Sequence, residues 1–367
     1  MQNSANTETL GYKPLIFRCQ STEDMVRYQA LLELQNPTVI NQVSNQLEDL
    51  AGCLFPAEKL KGTNPSALVA KVLELHTLEE ITNWVYFPWK NTAALVLSEK
   101  YFILCRTNRN KLKIKDPEQE LLQSKSILFI GLSVGQSAAI TFAMQRIGGT
   151  LHLADFDSLS LSNMNRLRAS ILDIGELKCT IAARQIAEQD PYLKVVCHEK
   201  GINHENIDEL LTCNNTANVD LIVEECDNLE MKVLIREHAR KRGIPVIMET
   251  SDKGIVDIER FDLEPNYPIF HGLIGDTKAS DIPNFNKEQH FGLLAALLNY
   301  EKISTELKES YAAMGREVVT WPQLAYEVTL GGATLAYAAT KIMLGKNMNS
   351  VGFMLIWTLF LITTSDT

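Results

Sequence analysis

Residues 126–166 read SILFIGLSVGQSAAITFAMQRIGGTLHLADFDSLSLSNMNR, and their succession of strand, tight turn, helix, strand and polar tail sets the fold. Ile127–Ile130 is an unbroken apolar run of the buried-strand kind. Gly131 and Gly135 break it, after which Ala138, Ala139, Phe142, Ala143 and Ile147 recur at helical spacing. A turn of this kind aims backbone N–H groups at a phosphate. A second apolar run, Leu151–Ala154, ends in Asp155, which stands 24 positions after Gly131 and 20 after Gly135. A dinucleotide-type fold carries there the acid that binds a ribose hydroxyl. The same two glycines also serve as plain turn punctuation, and Ser133 and Gln136 stand where fuller fingerprints have glycine.

The tail, Asp155-Phe-Asp157-Ser-Leu-Ser-Leu-Ser-Asn163-Met-Asn165-Arg166, has no use in an ordinary dehydrogenase. It resembles the acid-x-Asp segment followed by Ser-Asn-x-x-Arg of the ThiF/MoeB/HesA superfamily, bacterial adenylyltransferases related to ubiquitin-activating enzymes. The resemblance runs from about Arg106 to about Lys346. It implies an α/β fold with a Rossmann-like, mostly parallel sheet covered by helices on both faces and extended by antiparallel strands. It implies ATP and Mg²⁺ as cofactors and a carboxylate as substrate. By position, Gly131, Ser133 and Gly135 match the phosphate loop, Asp155 and Asp157 the ribose-binding segment, and Asn163 and Arg166 the phosphate contacts. Lys178 matches the phosphate lysine and Asp227 the Mg²⁺-associated carboxylate. Arg109, in Arg106-Thr-Asn-Arg109, matches an arginine that enters the partner subunit's site, which implies a homodimer. The sequence departs from the family at Glu224, where relatives have the first Asp of D-x-x-D-N; Lys232 supplies the basic residue five positions after Asp227. The GLSVG loop, the ADFD segment and the NMNRLR run resemble a bacterial subgroup in which a nitroreductase-like domain follows. No such domain fits within 367 residues, so a shortened form or a fragment is expected.

Each of these residues also has a plain structural reading. Asp155 can simply end a strand and Asn163 can cap a turn. Asp227 and Glu230 have the spacing of a helix-capping box. Arg109 can be a solvated arginine of a basic turn. Lys178 fits such a reading least, because a cation in the first turn of a helix opposes the macrodipole unless an anion lies nearby.

The chain has 46% hydrophobic and 22% charged residues, the balance of a soluble globular protein with a sizeable core. A net charge of −10 leaves no basic footprint for nucleic acid. Seven cysteines without a C-x-x-C pair indicate reduced thiols in a cytoplasm, and no structural zinc is expected. Cys226, at the end of an apolar strand, is read as packing rather than as a nucleophile. The apolar run Val351–Ile362 falls short of the ~20 residues that span a bilayer and is expected to be a buried terminal strand, or else a stretch exposed because something that normally follows is missing; no membrane role is expected.

In chain order, residues 1–105 are expected to form a small α-rich accessory domain. It would carry helical stripes at Val39, Ile40, Val43, Leu47 and Leu50 and at Leu68–Leu75. A hairpin of Ala93–Leu97 with Tyr101–Cys105 would close it. Residues 106–350 form the adenylation domain: a helix at Asp116–Gln123, the central strand and its helix, a helix from Lys178 to about Gln189, and a strand Leu193–Cys197. A helix follows around Asn203–Leu211, a strand Val219–Glu224, a helix to Arg242, a strand to Glu249 and an antiparallel strand within Gly254–Leu263. Asp276–Val319 is a charged, partly helical crossover, and Pro322–Leu344 the closing helix; residues 351–367 form the apolar tail. The expected function is adenylylation of a carboxylate, such as a peptide, a small-protein C-terminus of the ubiquitin-like kind or a small acid, with release of pyrophosphate. Two other functions fit parts of the pattern: a catalytically silent nucleotide-binding module, and an NAD-linked oxidoreductase that would leave Asn163, Arg166, Lys178 and Asp227 unused.

Overall fold

The computed structural model describes residues 11–213, 217–252, 254–298, 300–301 and 303–355. The chain divides into two compact units: Met1–Asp116 with Ile186–Tyr192, and Pro117–Gln185 with Leu193–Thr367.

The first unit is less helical than its sequence suggests. Strands β1 (Leu15–Arg18), β2 (Thr38–Asn41), β3 (Thr82–Phe87) and β4 (Thr92–Leu97) form a sheet in the order β1-β3-β4-β2. Val39 and Ile40 belong to β2 and are exposed, so the helical stripe begins only at Val43, with Val43, Leu47 and Leu50 buried. The β-branched Thr38-Val-Ile run follows Pro37, and Asn41 ends it by accepting the Val43 amide at 3.2 Å, which opens the helix Val43–Leu54. The expected hairpin is also different. The partner of β4 is β3, and Tyr101–Cys105 lies in the helix Glu99–Thr107. There Tyr101, Leu104 and Cys105 recur at helical spacing and pack with Leu50, Leu95 and Leu97, so tertiary burial overrides the apparent strand pair. Residues 186–192 join this unit through Asp190, whose carboxylate takes Arg106 at 2.8 Å, and through Tyr192, whose hydroxyl donates to the Leu97 carbonyl at 2.8 Å.

The second unit is the α/β body. Its strands are β5 (Ser126–Ile130), β6 (Thr150–Ala154), β7 (Lys194–His198), the short ribbon β8 (Thr212–Cys213) and β9 (Ala217–Asn218), then β10 (Leu221–Glu224), β11 (Val246–Glu249), β12 (Ile255–Glu259) and β13 (Val351–Leu355). Seven of them form one sheet in the order β13-β12-β11-β10-β5-β6-β7. The five from β11 to β7 run parallel, and β12 and β13 add antiparallel strands. The unbroken apolar runs follow from burial on both faces. Leu128, Ile130, Ile222, Val246 and Met248 pack against Val233, Ile235 and Ala239 of the helix Leu229–Arg242. On the other face Phe129 meets Phe142 of the helix Gly135–Gln145 edge-on, with ring centroids 5.1 Å apart. The long helix Ala325–Met343 crosses that helix at Gly332, where a Cβ would stand 2.8 Å from the Ser137 carbonyl carbon, so only glycine permits the approach.

Several boundaries are tighter than their sequence patterns. The helix within 203–211 is Ile207–Leu210, and the antiparallel strand within 254–263 is Ile255–Glu259. The crossover contributes the helices Lys287–Leu297 and Thr305–Ala313. Of the apolar tail, Val351–Leu355 is the strand β13 beside β12; the rest lies outside the described residues. Among the described residues no helix is long and apolar enough to cross a membrane.

Candidate functional site

Strand β5 has β6 on one side and β10 on the other, so the chain switches direction across the sheet at its C-terminal end. Ligands of open α/β sheets bind at such a point. Three segments meet there: the Gly131–Val134 turn after β5, Asp155–Asp157 after β6, and Glu225–Asp227 after β10. Gly131 has a φ of 84°, and a Cβ on it would stand 2.5 Å from the Glu225 carbonyl oxygen. The glycine thus lets the first and third segments touch.

Asp155 is buried, and both of its oxygens are used. Leu132 N–H donates to Oδ2 at 2.6 Å and Asp157 N–H to Oδ1 at 2.7 Å, so the carboxylate fastens the glycine turn to the β6 end. Burial pushes its pKa above the usual carboxylate range, opposed by those two amides and by Lys178. Lys178 opens the helix Lys178–Gln189 and is 6% exposed. The anion that offsets the helix dipole is Asp157, whose Oδ2 takes the ammonium at 2.8 Å and whose carbonyl takes the Lys178 amide at 2.9 Å. Asn163 caps the short turn Leu161–Asn163, accepting the Ser160 amide at 3.0 Å.

Arg166 reaches across to the glycine turn. It donates to Ser133 Oγ at 2.8 Å and to Asn165 Oδ1 at 2.9 Å, while its buried Nε has no partner among the described residues. Burial lowers its pKa and the nearby Asp227 raises it again. The second departure from the glycine fingerprint, Gln136, is buried and holds the chain after Arg166: its Oε1 accepts the Arg168 amide at 2.9 Å.

Asp227 differs from the other acids of the site. It makes no hydrogen bond or ion pair among the described residues, although Lys232, Lys178 and Arg166 all act on it electrostatically. Asp227 is exposed at the edge of the site, open to solvent on one side; partial desolvation and Glu224 push its pKa up, and those three cations pull it down. The Asp227–Glu230 capping box does not form. Asn228 caps the helix instead, accepting the Met231 amide at 3.0 Å, and Glu230 takes His204 Nε2 at 2.6 Å. Asp227 is thereby left without a structural task.

Below it lies a buried charge network. Glu224 takes Lys232 Nζ at 3.0 Å and Arg236 Nη1 at 2.7 Å, and it accepts the Cys226 amide at 2.8 Å. Burial alone would raise the Glu224 pKa, but the Lys232 and Arg236 charges outweigh it and hold it at about 2. Glu224 is the position where the family resemblance leads one to expect aspartate. Its longer side chain reaches Arg236, which also pairs with Glu259 and lies over the Phe270 ring at 3.8 Å. The neighbouring Cys226 thiol is pushed well above its ordinary value, mainly by burial, and is unsuited to nucleophilic attack at neutral pH.

Sequence reasoning missed a second acid pair. Glu225 Oε1 accepts the Glu249 amide at 2.8 Å, and Glu249 accepts the Ser251 amide and hydroxyl at 2.5 and 3.1 Å. Burial raises both carboxyls, Glu249 to about 7. The signal lay in the strand ends, because Glu249 closes the apolar run VIME and Glu225 directly follows the run LIVE, and an acid so placed must find an unusual partner. Arg109 belongs to the first unit, in the turn Asn108–Asn110, exposed and without a hydrogen bond among the described residues. Among the described residues no three His, Cys, Asp or Glu side chains converge as metal ligands.

The family model described as "ThiF family" matches residues 107–363. An uncharacterized protein of Mycobacterium tuberculosis (strain CDC 1551 / Oshkosh), MT1398, is 40% identical over 273 residues, 74% of this chain and 38% of that protein. The tRNA threonylcarbamoyladenosine dehydratase of Bacillus subtilis (strain 168) is 25% identical over 163 residues, 44% of this chain and 62% of that one. The molybdopterin-synthase adenylyltransferase of Haemophilus influenzae (strain ATCC 51907 / DSM 11121 / KW20 / Rd) is 25% identical over 161 residues, 42% of this chain and 62% of that one. The chain therefore spans less than two thirds of the length of each of these relatives.

Proposed function

Because the chain belongs to the ThiF family, we propose that it uses ATP and Mg²⁺ to adenylylate a carboxylate, releasing pyrophosphate. The observation that carries this reading is Asp227, a carboxylate with no hydrogen-bond partner among the described residues, acted on by Lys178, Arg166 and Lys232. An acid held beside three cations yet bound to none is poised for a ligand. A hard divalent cation is commonly held by one or two protein carboxylates together with substrate phosphates, and Asp227 fits that donor set. When bound there, Mg²⁺ would neutralise charge on the departing pyrophosphate.

In this reading the backbone amides of the Gly131–Gly135 turn face the phosphates, with Asp155 holding the turn in shape and keeping a lone pair on each oxygen for a ribose hydroxyl. The substrate carboxylate attacks the α-phosphorus: an oxygen–phosphorus bond forms and the bond to the pyrophosphate oxygen breaks. Arg166 has one unused buried donor and Lys178 a compact charge; both offset the negative charge that spreads over the phosphoryl oxygens during attack. The product is a mixed anhydride for an outside amine or thiol to take. The acid is a peptide, a small-protein C-terminus of the ubiquitin-like kind, or a small organic acid. The protein works in the cytoplasm as a homodimer in which Arg109 enters the partner's site.

A second reading rests on a separate observation: Ser133 and Gln136, where fuller fingerprints have glycine, occupy Arg166 and Arg168. This suits a silent module that binds nucleotide and transfers nothing. Calorimetry with ATP and with NAD, followed by hydroxylamine trapping of an acyl-adenylate across a panel of acids, separates the readings. The adenylation reading expects ATP to bind with NAD ignored and a hydroxamate to form with one class of acid. ATP binding without any hydroxamate supports the silent module, and binding of NAD alone would overturn both.

A further inference from the structure

Two pairs of cysteines stand close enough for their thiols to hydrogen-bond, Cys53 with Cys105 in the first unit and Cys179 with Cys197 in the second. None of the four is in a disulfide. The pairs differ in chemistry. Burial first, and then the neighbouring Cys53, push the Cys105 thiol up to about 12, which leaves almost no thiolate at neutral pH. Cys179 is held below its ordinary value: the Cys197 thiol does most of this, burial opposes it, and the Thr180 amide in the first turn of the helix Lys178–Gln189 adds to it. A helix N-terminus favours a thiolate in this way. The second pair is also open to solvent at one member. Cys179 is buried, whereas Cys197 lies half-buried on the edge strand β7, and its thiol reaches the Cys179 carbonyl oxygen at 3.4 Å. Lys178, one residue before Cys179, has its ammonium and its amide both on Asp157, at 2.8 and 2.9 Å. A covalent link from Cys179 to β7 therefore pulls on the turn that sets Lys178 in the candidate site.

We propose that Cys179 and Cys197 are a modification site: a peroxide joins them in a disulfide, and the link shifts the Lys178 turn so that the oxidised protein holds nucleotide less tightly. The weaker binding rests on the ATP-using reading above; the disulfide does not. Cys197, the sulfur open to solvent, attacks one peroxide oxygen. An S–O bond forms, the O–O bond breaks, and the departing hydroxide takes a proton to become water. Cys179, as thiolate, then attacks the Cys197 sulfur, forming the S–S bond and expelling the sulfenic oxygen as a second water. Two thiols and one peroxide thus give one disulfide and two waters, and the two electrons lost by the sulfurs reduce the peroxide.

The test exposes the full chain to hydrogen peroxide at neutral pH, blocks remaining thiols with N-ethylmaleimide and digests with trypsin. Cleavage after Lys178, Arg184, Lys194 and Lys200 frees residues 179–184 and 195–200, whose joined mass reports the disulfide directly. The link should form at least about tenfold faster than one between Cys53 and Cys105. The Cys179 thiolate is roughly a thousandfold more abundant than that of Cys105, and its lower intrinsic nucleophilicity gives back only part of the difference. Dithiothreitol should remove the link. ATP affinity, read by calorimetry, should fall about tenfold on oxidation, the scale of one charge-assisted hydrogen bond, and recover on reduction. Peroxide should leave it unchanged in Cys197→Ser and in Cys197→Ala, two variants of which one suffices if the other folds poorly. Oxidation of Cys197 to a sulfinic acid without the link, or a link no faster than that of Cys53 with Cys105, overturns the inference. A link that leaves ATP affinity unchanged overturns its hold on Lys178. No ATP binding by the reduced protein refutes the ATP-using reading instead, and the joined peptides still decide whether the two sulfurs are a pair.

Discussion

The contact between the glycine turn and the β10 end can be broken with one carbon atom. Gly131 and Gly175 both lie in the second unit with positive φ, 84° and 91°. They differ in their surroundings: a Cβ at Gly131 would meet Glu225 O at 2.5 Å, Glu225 C at 2.7 Å and Cys226 N at 2.9 Å, whereas at Gly175 nothing lies within 4 Å. Alanine at either position carries the left-handed backbone strain of about 1–2 kcal/mol. Only Gly131→Ala must also push two backbone segments apart, an overpacking cost of about 1–3 kcal/mol. Urea unfolding, followed through the transition of the second unit, should therefore place Gly131→Ala about 1–3 kcal/mol below Gly175→Ala. Its ATP affinity, read by calorimetry, should fall as the turn shifts. If the two variants lost equal stability, the close approach would not constrain the site and the turn would be ordinary punctuation.

Other perturbations follow from the buried charges and from the dimer proposal. Arg236→Met leaves Glu224 and Glu259 buried without their shared cation and should cost about 3–5 kcal/mol in urea unfolding; a loss under about 1 kcal/mol would refute the network. The folded-state pKa of Glu249 is raised from 4.5 to about 7, so its contribution to stability is full below pH 4.5 and is lost as pH rises through 7. Glu249→Gln should remove that decline, and an identical pH profile for both proteins would contradict the buried protonated acid. Arg109→Ala and Asp227→Ala chains, each inactive, should on mixing regain roughly a quarter of wild-type activity, because about half the dimers are mixed and each has one complete site of two. No recovery despite demonstrated subunit exchange would remove Arg109 from the site.

The body of the second unit was legible because its strands are unbroken apolar runs and its helices periodic, a pattern only a doubly covered parallel sheet satisfies. The first unit was misread where a short segment fits two periods. Val39-Ile40 and Tyr101–Cys105 are both short apolar stretches that fit either period; the first lies in the exposed strand β2, while Tyr101 is buried on a helix. Of the positions singled out in the sequence, the structure gathers Gly131, Ser133, Asp155, Asp157, Arg166, Lys178 and Asp227 at one end of the sheet, but their bonds could not be read from the sequence. Nothing local to Lys178 tells that its anion is Asp157, nor that Asn228 rather than Asp227 caps the next helix. The acid pair Glu225–Glu249 was hidden because its members lie 24 residues apart and meet only through the pairing of β10 with β11.

The central claim, that Asp227 and its three cations serve transfer of AMP to an acid, is tested most directly by exchange of labelled pyrophosphate into ATP. The measurement sets the wild-type protein beside Asp227→Ala, across a panel of carboxylic acids. The account predicts exchange that depends on both the acid and Mg²⁺ in the wild type, and a loss of at least about a hundredfold in the variant, the scale expected when one preorganised charge of a transition state is removed. Exchange in Asp227→Ala near the wild-type rate under saturating ATP would contradict it.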